Sequence, residues 1–343
     1  MTSNRQWILK RRPEAALRDE DLELKTAVLP ASLERRQVLL KTLYVHLAPT
    51  TRNWMNPRRE NDRNSLYPET KVGEPVKGPA ISEVVASSHP DYPIGSRWFN
   101  VEGWQEFALI NPDDATHPLG RIAEAADVIQ CLSVLGPNGL AAYFGVEKIG
   151  KPQAGETVIV SGAAGSTGSV AAQIAKLKGC KVIGIAGGSA KCAWLTRELG
   201  LDAAIDYKSE RVESRLRQLA PAGVDFFFDN VGGEILSAVV ENMAVRGRIA
   251  LCGQIATYND GGRTVAPLNV MHLVYWRVKI EGFIMSDWWH EIEEARSKIN
   301  EWILQGKIKH REDVRHGFER IPTAFADLFS GANTGTLLVK MDS

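Results

Sequence analysis

The densest chemical signal in the chain is Val158-Ile-Val-Ser-Gly-Ala-Ala-Gly-Ser-Thr-Gly168, an apolar run that enters a glycine-rich turn. The expected G-x-G-x-x-G pattern takes the form Ala163-x-Gly165-x-x-Gly168. A pyrophosphate needs a tight turn, a residue without a side chain where backbone meets anion, and a third small residue where helix closes on strand. The helix N-terminus then offers N–H groups to the negative charge. Gly165 and Gly168 meet the second and third needs, with Ala164, Ser166 and Thr167 completing the predicted cradle. A glycine turn selected for packing alone is the competing reading, and the strand–turn–helix context weighs against it.

About 20 residues further on, an NAD site places a carboxylate on the ribose 2′-hydroxyl. This chain has Ala186-Gly-Gly-Ser-Ala-Lys191 there. With no carboxylate to repel it, a 2′-phosphate would accept hydrogen bonds around Gly188 and Ser189 and pair with Lys191. The expected cofactor is NADP(H) rather than NAD(H). The alternative is that Lys191 is an ordinary solvated helix residue.

These residues need strands and helices to hold them. From about Gly155, short apolar strands alternate with amphipathic segments: Thr157–Ser161, Lys181–Ala186, Ala204–Tyr207, Asp225–Asp229, Arg248–Cys252 and Lys279–Ile284. Six strands separated by helix-length segments predict an α/β fold, a doubly wound parallel Rossmann sheet. Val170, Ala171, Ile174, Ala175 and Leu177 have the 3.6-residue spacing of a helix packed on that sheet, ended by Gly179. A further helix is predicted from Trp289 to Leu304, stopped at Gly306, followed by a strand at Thr336–Lys340. The first ~125 residues instead carry short β-rich pieces between turn clusters, such as Gln37–Val45 and Ala80–Ala86. The last strand is expected to return to that mostly β domain. The predicted division is a substrate domain of residues 1–128 completed by 313–343, and a nucleotide domain of 129–312.

With 343 residues, two domains have ample core material. Lys+Arg and Asp+Glu number 41 each, so there is no basic surplus for a nucleic-acid face. No apolar run approaches the ~18 residues of a membrane span, and the N-terminus has no apolar stretch of a secretory signal. Cys131, Cys180, Cys192 and Cys252 stand singly, which fits reduced thiols in a cytoplasmic protein.

The ordered set Ala163–Gly168, Gln173–Cys180, Ala186–Lys191, Asp229-Asn-Val-Gly-Gly233 and Cys252-Gly-Gln-Ile-Ala-Thr-Tyr-Asn259 resembles the zinc-free medium-chain dehydrogenase/reductases. More narrowly, it looks like the branch of leukotriene B4 dehydrogenase/prostaglandin reductases, alkenal double-bond reductases and bacterial curcumin reductase. Gln37–Tyr44, Ser88–Tyr92, Gly103-Trp104, Gly282–Met285 and Gly331–Gly335 extend the likeness over essentially the whole chain. The resemblance implies a GroES-like domain beside the Rossmann domain, a homodimer, and NADPH-dependent reduction of the carbon–carbon double bond of an α,β-unsaturated ketone or aldehyde. It implies that Lys191 and Tyr207 flank the 2′-phosphate and that Asn230 and Asn333 contact the nicotinamide half. Cys252, Gly253 and the residues up to Tyr258, with Phe283, Ile284 and Met285, would line the cofactor.

Neither the Gly-His-Glu ligand motif nor the four-Cys lobe of the zinc dehydrogenases is present, and the seven His residues never take ligand spacing. Conjugate reduction needs no metal: hydride reaches the β-carbon, charge develops on the carbonyl oxygen, and water or a positioned acid protonates the α-carbon. Tyr258 is the expected catalytic residue, bonding the nicotinamide ribose or the developing enolate; as an alternative it caps a loop. Where many relatives read Asp-Pro-Tyr-Met-Arg, this chain has Ala48-Pro-Thr-Thr-Arg52, and Pro137 and Ala141 stand where relatives carry a Met and a Thr. These changes replace an aromatic wall with small polar groups. They point to a bulkier or differently shaped enone, an aromatic one for example, with Thr50 in the pocket and Trp54, Trp288 and Trp289 as stacking surfaces or as core and dimer contacts. His46 reads as a structural histidine rather than a base. Arg58–Arg63 reads as a solvated loop or a lid. Two other functions fit the cofactor residues: a quinone reductase on the same scaffold, and a non-catalytic NADPH-binding sensor.

Overall fold

The computed structural model describes residues 3–57, 68–114, 119–260 and 267–342; the charged stretch Arg58–Arg63 lies outside them. In chain order the strands are β1 (Ser3–Leu9), β2 (Leu22–Val28), β3 (Val38–His46), β4 (Ala80–Ser87), β5 (Arg97–Asn100), β6 (Phe107–Ile110) and β7 (Gly120–Ile122). They continue with β8 (Thr157–Ser161), β9 (Lys181–Ala186), β10 (Ala203–Asp206), β11 (Val224–Asp229), β12 (Met243–Leu251), β13 (Lys279–Gly282), β14 (Glu312–His316) and β15 (Thr336–Lys340). The α-helices are α1 (Thr51–Trp54), α2 (Val128–Leu132), α3 (Pro137–Phe144), α4 (Ser166–Leu177) and α5 (Ser189–Arg197). After them come α6 (Val212–Leu219), α7 (Gly233–Val240), α8 (Val270–Trp276), α9 (Ile292–Leu304) and α10 (Ile321–Ser330).

Two compact units divide the chain. One comprises Met1–Leu132, Tyr258–Gly261 and Glu312–Ser343; the other comprises Ser133–Thr257 and Gly262–Arg311. In the first unit β15 pairs antiparallel with β3 and parallel with β14, placing late residues inside an early sheet ordered β14-β15-β3-β4-β5-β7, with β6 also on β3. Leu9, Val45, Leu47, Trp104, Phe318 and Phe325 are fully buried in its core.

The second unit is a parallel sheet ordered β10-β9-β8-β11-β12-β13. The order reverses direction at β8 and β11, where doubly wound sheets open a crevice beyond the strand ends. Strands buried on both faces must be apolar along their length. Val158, Ile159 and Val160, then Phe226, Phe227 and Phe228, are accordingly all at 0% exposure. α4 covers one face through Val170, Ala171, Ile174 and Ala175. α3 continues into a π-helical turn at Gly145–Gly150. Gly145 is required there, because an added Cβ would intrude on the rings of Phe228 and Phe283.

The helix expected from Trp289 begins later. Met285–Glu291 forms a 3₁₀ stretch broken at Trp288, whose φ of −117° and ψ of 40° are not helical, and the α-helix starts at Ile292. Among the described residues no helix is long and apolar enough to cross a membrane.

Candidate functional site

The glycine-rich turn lies between the end of β8 and the start of α4 in the nucleotide unit. Gly162 has φ +58°, Ala163 and Ala164 are buried, and Gly165 is the N-cap with extended backbone and no side chain to bond the first-turn N–H groups. An added Cβ at Gly165 would sit 3.2 Å from the Gly162 carbonyl oxygen, and one at Gly168 would overlap that oxygen outright. The close helix approach thus depends on glycine, and the first turn of a twelve-residue helix is left to face an anion, with Ser166 and Thr167 in it. The residues fit a dinucleotide pyrophosphate.

A contact that no motif announces adjoins this turn. Asn138, early in α3, donates from Nδ2 to the Ser166 hydroxyl oxygen at 2.7 Å. The only hint in the sequence is a short polar residue directly after Pro137 at a helix start.

Beyond β9, Gly188 has φ +96° and caps α5, which carries Ser189 and Lys191 in its first turn. Tyr207 follows β10 and packs on Gly187, where a Cβ would be 2.9 Å from the ring. Desolvation, then the positive charge of Lys208, lower the Lys191 pKa. The Gly188 N–H is bonded to Asp206 at 2.8 Å. Lys191, Tyr207, Gly188 and Ser189 are therefore gathered at two neighbouring strand ends.

At the other side of the crevice, Asp229 ends β11 with its side chain fully buried. Its carboxylate accepts from the Ser161 hydroxyl at 2.6 Å and from the N–H groups of Val231 and Gly232. Burial raises its pKa while these bonds oppose the rise. Asn230 is held in turn, its N–H on Ser161 Oγ and its Nδ2 on the Ser161 carbonyl, both at 2.8 Å. The segment after β12 lies along this loop, with the N–H groups of Cys252 and Gly253 on the Asp229 carbonyl and that of Ala256 on Val231. Desolvation and the Asp229 charge push the Cys252 thiol up to about 12, so it stays protonated at neutral pH.

Phe283, Ile284 and Met285 follow β13. The Phe283 ring packs edge-on to Phe228, with centroids 6.2 Å apart, and lies 6.1 Å from Trp288. Trp288 itself stacks on Phe144 at 5.2 Å. Trp288 is thus a wall of the nucleotide unit's core, whereas Trp289 is 57% exposed.

The remaining candidates belong to the first unit. Thr50 is half-buried at the start of α1, Thr51 is wholly buried, and Trp54 is 7% exposed. Arg52 is 1% exposed and donates to the carbonyls of Pro13 and Ala15 and to Asn56 Oδ1. His46 is buried at the end of β3, and burial lowers its pKa to about 4, so it is neutral. Asn333 donates to the Gly335 carbonyl at 3.1 Å in the loop before β15. Tyr258, half-buried, sits in the 3₁₀ turn Ile255–Asp260 at the point where the chain passes to this unit. Among the described residues no group of three or more His, Cys, Asp or Glu is placed to hold a metal ion.

Comparison with known proteins finds relatives over nearly the whole chain. A family model described as zinc-binding dehydrogenase matches residues 166–301, and one described as the N-terminal domain of oxidoreductase matches residues 5–117. The NADPH-dependent curcumin reductase of Escherichia coli is 34% identical, covering 98% of this chain and 97% of the relative. Prostaglandin reductase 1 of Mus musculus is 36% identical over 99% of this chain and all of its own. The crystal structure of CurA from Vibrio vulnificus in complex with NADPH superposes with a TM-score of 0.89, at 33% identity and 99% coverage of both chains.

Proposed function

We propose, from the premise that the chain belongs to the zinc-independent medium-chain dehydrogenase/reductases, that it reduces the carbon–carbon double bond of an α,β-unsaturated ketone or aldehyde with NADPH. The observation that carries this reading is one combination. A glycine-dependent pyrophosphate cradle is followed, at the end of β9, by Gly187, Gly188 and Lys191 where an NAD site would hold a carboxylate. NADPH, when bound, supplies the hydride that reaches the β-carbon.

The chain's own residues supply binding and electrostatics. Ala164, Gly165, Ser166, Thr167 and Gly168 take the pyrophosphate; Ser189, Lys191 and Tyr207 take the 2′-phosphate. Asn230 and Asn333 are assigned to the nicotinamide half, and Cys252, Gly253, Phe283, Ile284 and Met285 to the lining of the cofactor. Tyr258 is assigned to donate a hydrogen bond to the nicotinamide ribose or to the oxygen on which charge develops. Cys252 stays a thiol and the Asp229 carboxylate is saturated by donors, so neither is placed to act as nucleophile or base. The α-carbon proton is left to water or another positioned acid. Thr51 is wholly buried and Thr50 half-buried; Thr50, small where relatives carry a tyrosine, is the residue assigned to the pocket of a bulkier or differently shaped enone.

A second copy is assigned to the open edge of the sheet. β13 pairs with β12 alone among the described strands, and α8, which packs on β12, exposes Val270, Met271, Val274 and Tyr275. The four cysteines, none of them in a disulfide, fit a reducing, cytoplasmic location.

Loss of the near-ultraviolet absorbance of NADPH on adding an aromatic enone tests the activity. Tyr258→Phe is expected to lower kcat on the order of 100-fold; an unchanged rate removes Tyr258 from the mechanism. Turnover of quinones but not enones would make the chain a quinone reductase. Tight NADPH binding with no turnover across both panels would make it a binding protein.

A further inference from the structure

The turns after β9 and β10 are tied together by one carboxylate. Asp206 Oδ1 accepts the Gly188 N–H at 2.8 Å and the Lys208 N–H at 3.0 Å, and the Ser209 side chain bonds the same carboxylate. The backbone of Asp206 is fixed as well: its N–H donates to Glu210 Oε2 at 3.0 Å, and its carbonyl accepts the N–H groups of Ser209 and Glu210. Between the two turns, the Tyr207 N–H reaches the Ala186 carbonyl at 3.2 Å, and the Tyr207 ring covers Gly187. The Gly188 carbonyl accepts the Cys192 N–H, which starts the helix carrying Lys191. Through Gly188 on one side and Lys208 on the other, Asp206 sets the spacing of Lys191, Tyr207 and Lys208.

Charge makes this arrangement more than a turn. Lys191 is half-buried and near enough to Lys208 for the two positive charges to oppose one another. A 2′-phosphate within reach of both ammonium groups would relieve that opposition. A dinucleotide site with a carboxylate at the end of its second strand uses that group on a ribose diol. Here the carboxylate stands one strand over, and N–H donors occupy it. Those donors, Gly188 first, hold its pKa below the ordinary carboxylate range, so it remains ionised at neutral pH.

We propose that Asp206 is a positioning residue for cofactor choice: it clamps the β9 and β10 turns so that Lys191, Tyr207 and Lys208 converge on the 2′-phosphate of NADP(H), with Lys208 as a second cation. The proposal rests on the NADPH reading above. Asp206 makes no contact with the phosphate in this scheme; it acts through the Gly188 and Lys208 backbone.

Direct binding separates the possibilities. NADPH and NADH are titrated by fluorescence against wild type, Asp206→Ala, Asp206→Asn, Asp206→Glu and Lys208→Ala, with 2′-AMP and 5′-AMP as competing fragments. Asparagine retains Oδ1 as an acceptor for both N–H groups, so Asp206→Asn is expected to hold NADPH within about threefold of wild type. Asp206→Ala frees both N–H groups and is expected to weaken NADPH about tenfold while NADH changes less than threefold, with 2′-AMP losing its advantage over 5′-AMP. Lys208→Ala is expected to weaken NADPH severalfold and reduce the salt dependence of binding. If Asp206→Ala does not fold, Asp206→Glu is decisive, because it keeps the charge but shifts the acceptor and is expected to weaken NADPH selectively. Equal losses for NADPH and NADH, or an unchanged NADPH to NADH ratio in both Asp206→Ala and Asp206→Glu, would overturn the proposal. Wild type that fails to bind NADPH would overturn the cofactor reading itself, a separate result.

Discussion

The loops that follow β9, β10 and β11 in the nucleotide unit and the 13–15 segment of the first unit are held with opposite chemistry. In the nucleotide unit, carboxylates collect backbone N–H groups: Asp229 gathers Val231 and Gly232 with the Ser161 hydroxyl, and Asp206 gathers Gly188 and Lys208. In the first unit, a guanidinium collects carbonyls, Arg52 binding Pro13, Ala15 and Asn56 while buried to 1% exposure. The difference follows from what each loop leaves unpaired. Loops that lead into helix N-termini carry surplus N–H groups, which acceptors satisfy. The irregular 13–15 segment turns its carbonyls inward, and a fork of N–H donors satisfies several at once.

The largest effect is expected where the most groups are stranded. Arg52→Met would leave the Pro13 and Ala15 carbonyls and Asn56 Oδ1 without their donor inside the protein. It is expected to destabilise by roughly 3–5 kcal/mol, read as a fall in the denaturant midpoint. An Arg52→Met cost no greater than that of Asp229→Asn would break the comparison.

The pH response sharpens it. The unfolded chain protonates His46 near pH 6.5, whereas the folded chain keeps it neutral down to about pH 4. Stability therefore falls as pH drops through that window, by about 3 kcal/mol in total, and is level above it. Asp229 works in the reverse sense, since its raised pKa makes it stabilising at low pH and less so as pH rises. Denaturation curves between pH 4 and 7 are expected to flatten in His46→Gln and to steepen in Asp229→Asn. The same slope in both variants would show that these groups do not set it.

The smallest effect is expected from Asp229→Asn at neutral pH. Asparagine still accepts from Ser161, Val231 and Gly232 at Oδ1 but presents an N–H₂ group where Gly232 also donates to Oδ2, for a loss of about 1–2 kcal/mol. The denaturant midpoint of the purified variant checks this value.

Legibility in the sequence divides along physical lines. β8 and β9 run from Thr157 to Ser161 and from Lys181 to Ala186, the bounds their apolar runs predict, because strands buried on both faces must be apolar throughout. β12 begins at Met243, five residues before the predicted Arg248, since Arg246 turns through φ +65° and the register with β11 shifts. β14, Glu-Asp-Val-Arg-His, offers no apolar alternation and is defined by its pairing with β15. α10 carried readable signals in Pro322 near its start and Gly331 at φ +73° after its end. The phosphate cradle was legible because its geometry depends on missing side chains, and glycine is visible in a sequence. Asp206 and Asn138 were not, because each works through partners that only tertiary approach supplies.

The insertion of β15 between β14 and β3 has a consequence for biosynthesis. All six strands of the nucleotide sheet are made before residue 283, so that unit can assemble while the chain is still growing. The flank of β3 that β15 occupies must wait through some 290 residues of further translation for Thr336–Lys340 to arrive. During that interval Tyr44–His46 is an open β-edge, exposed to pairing with the wrong strand until β15 docks.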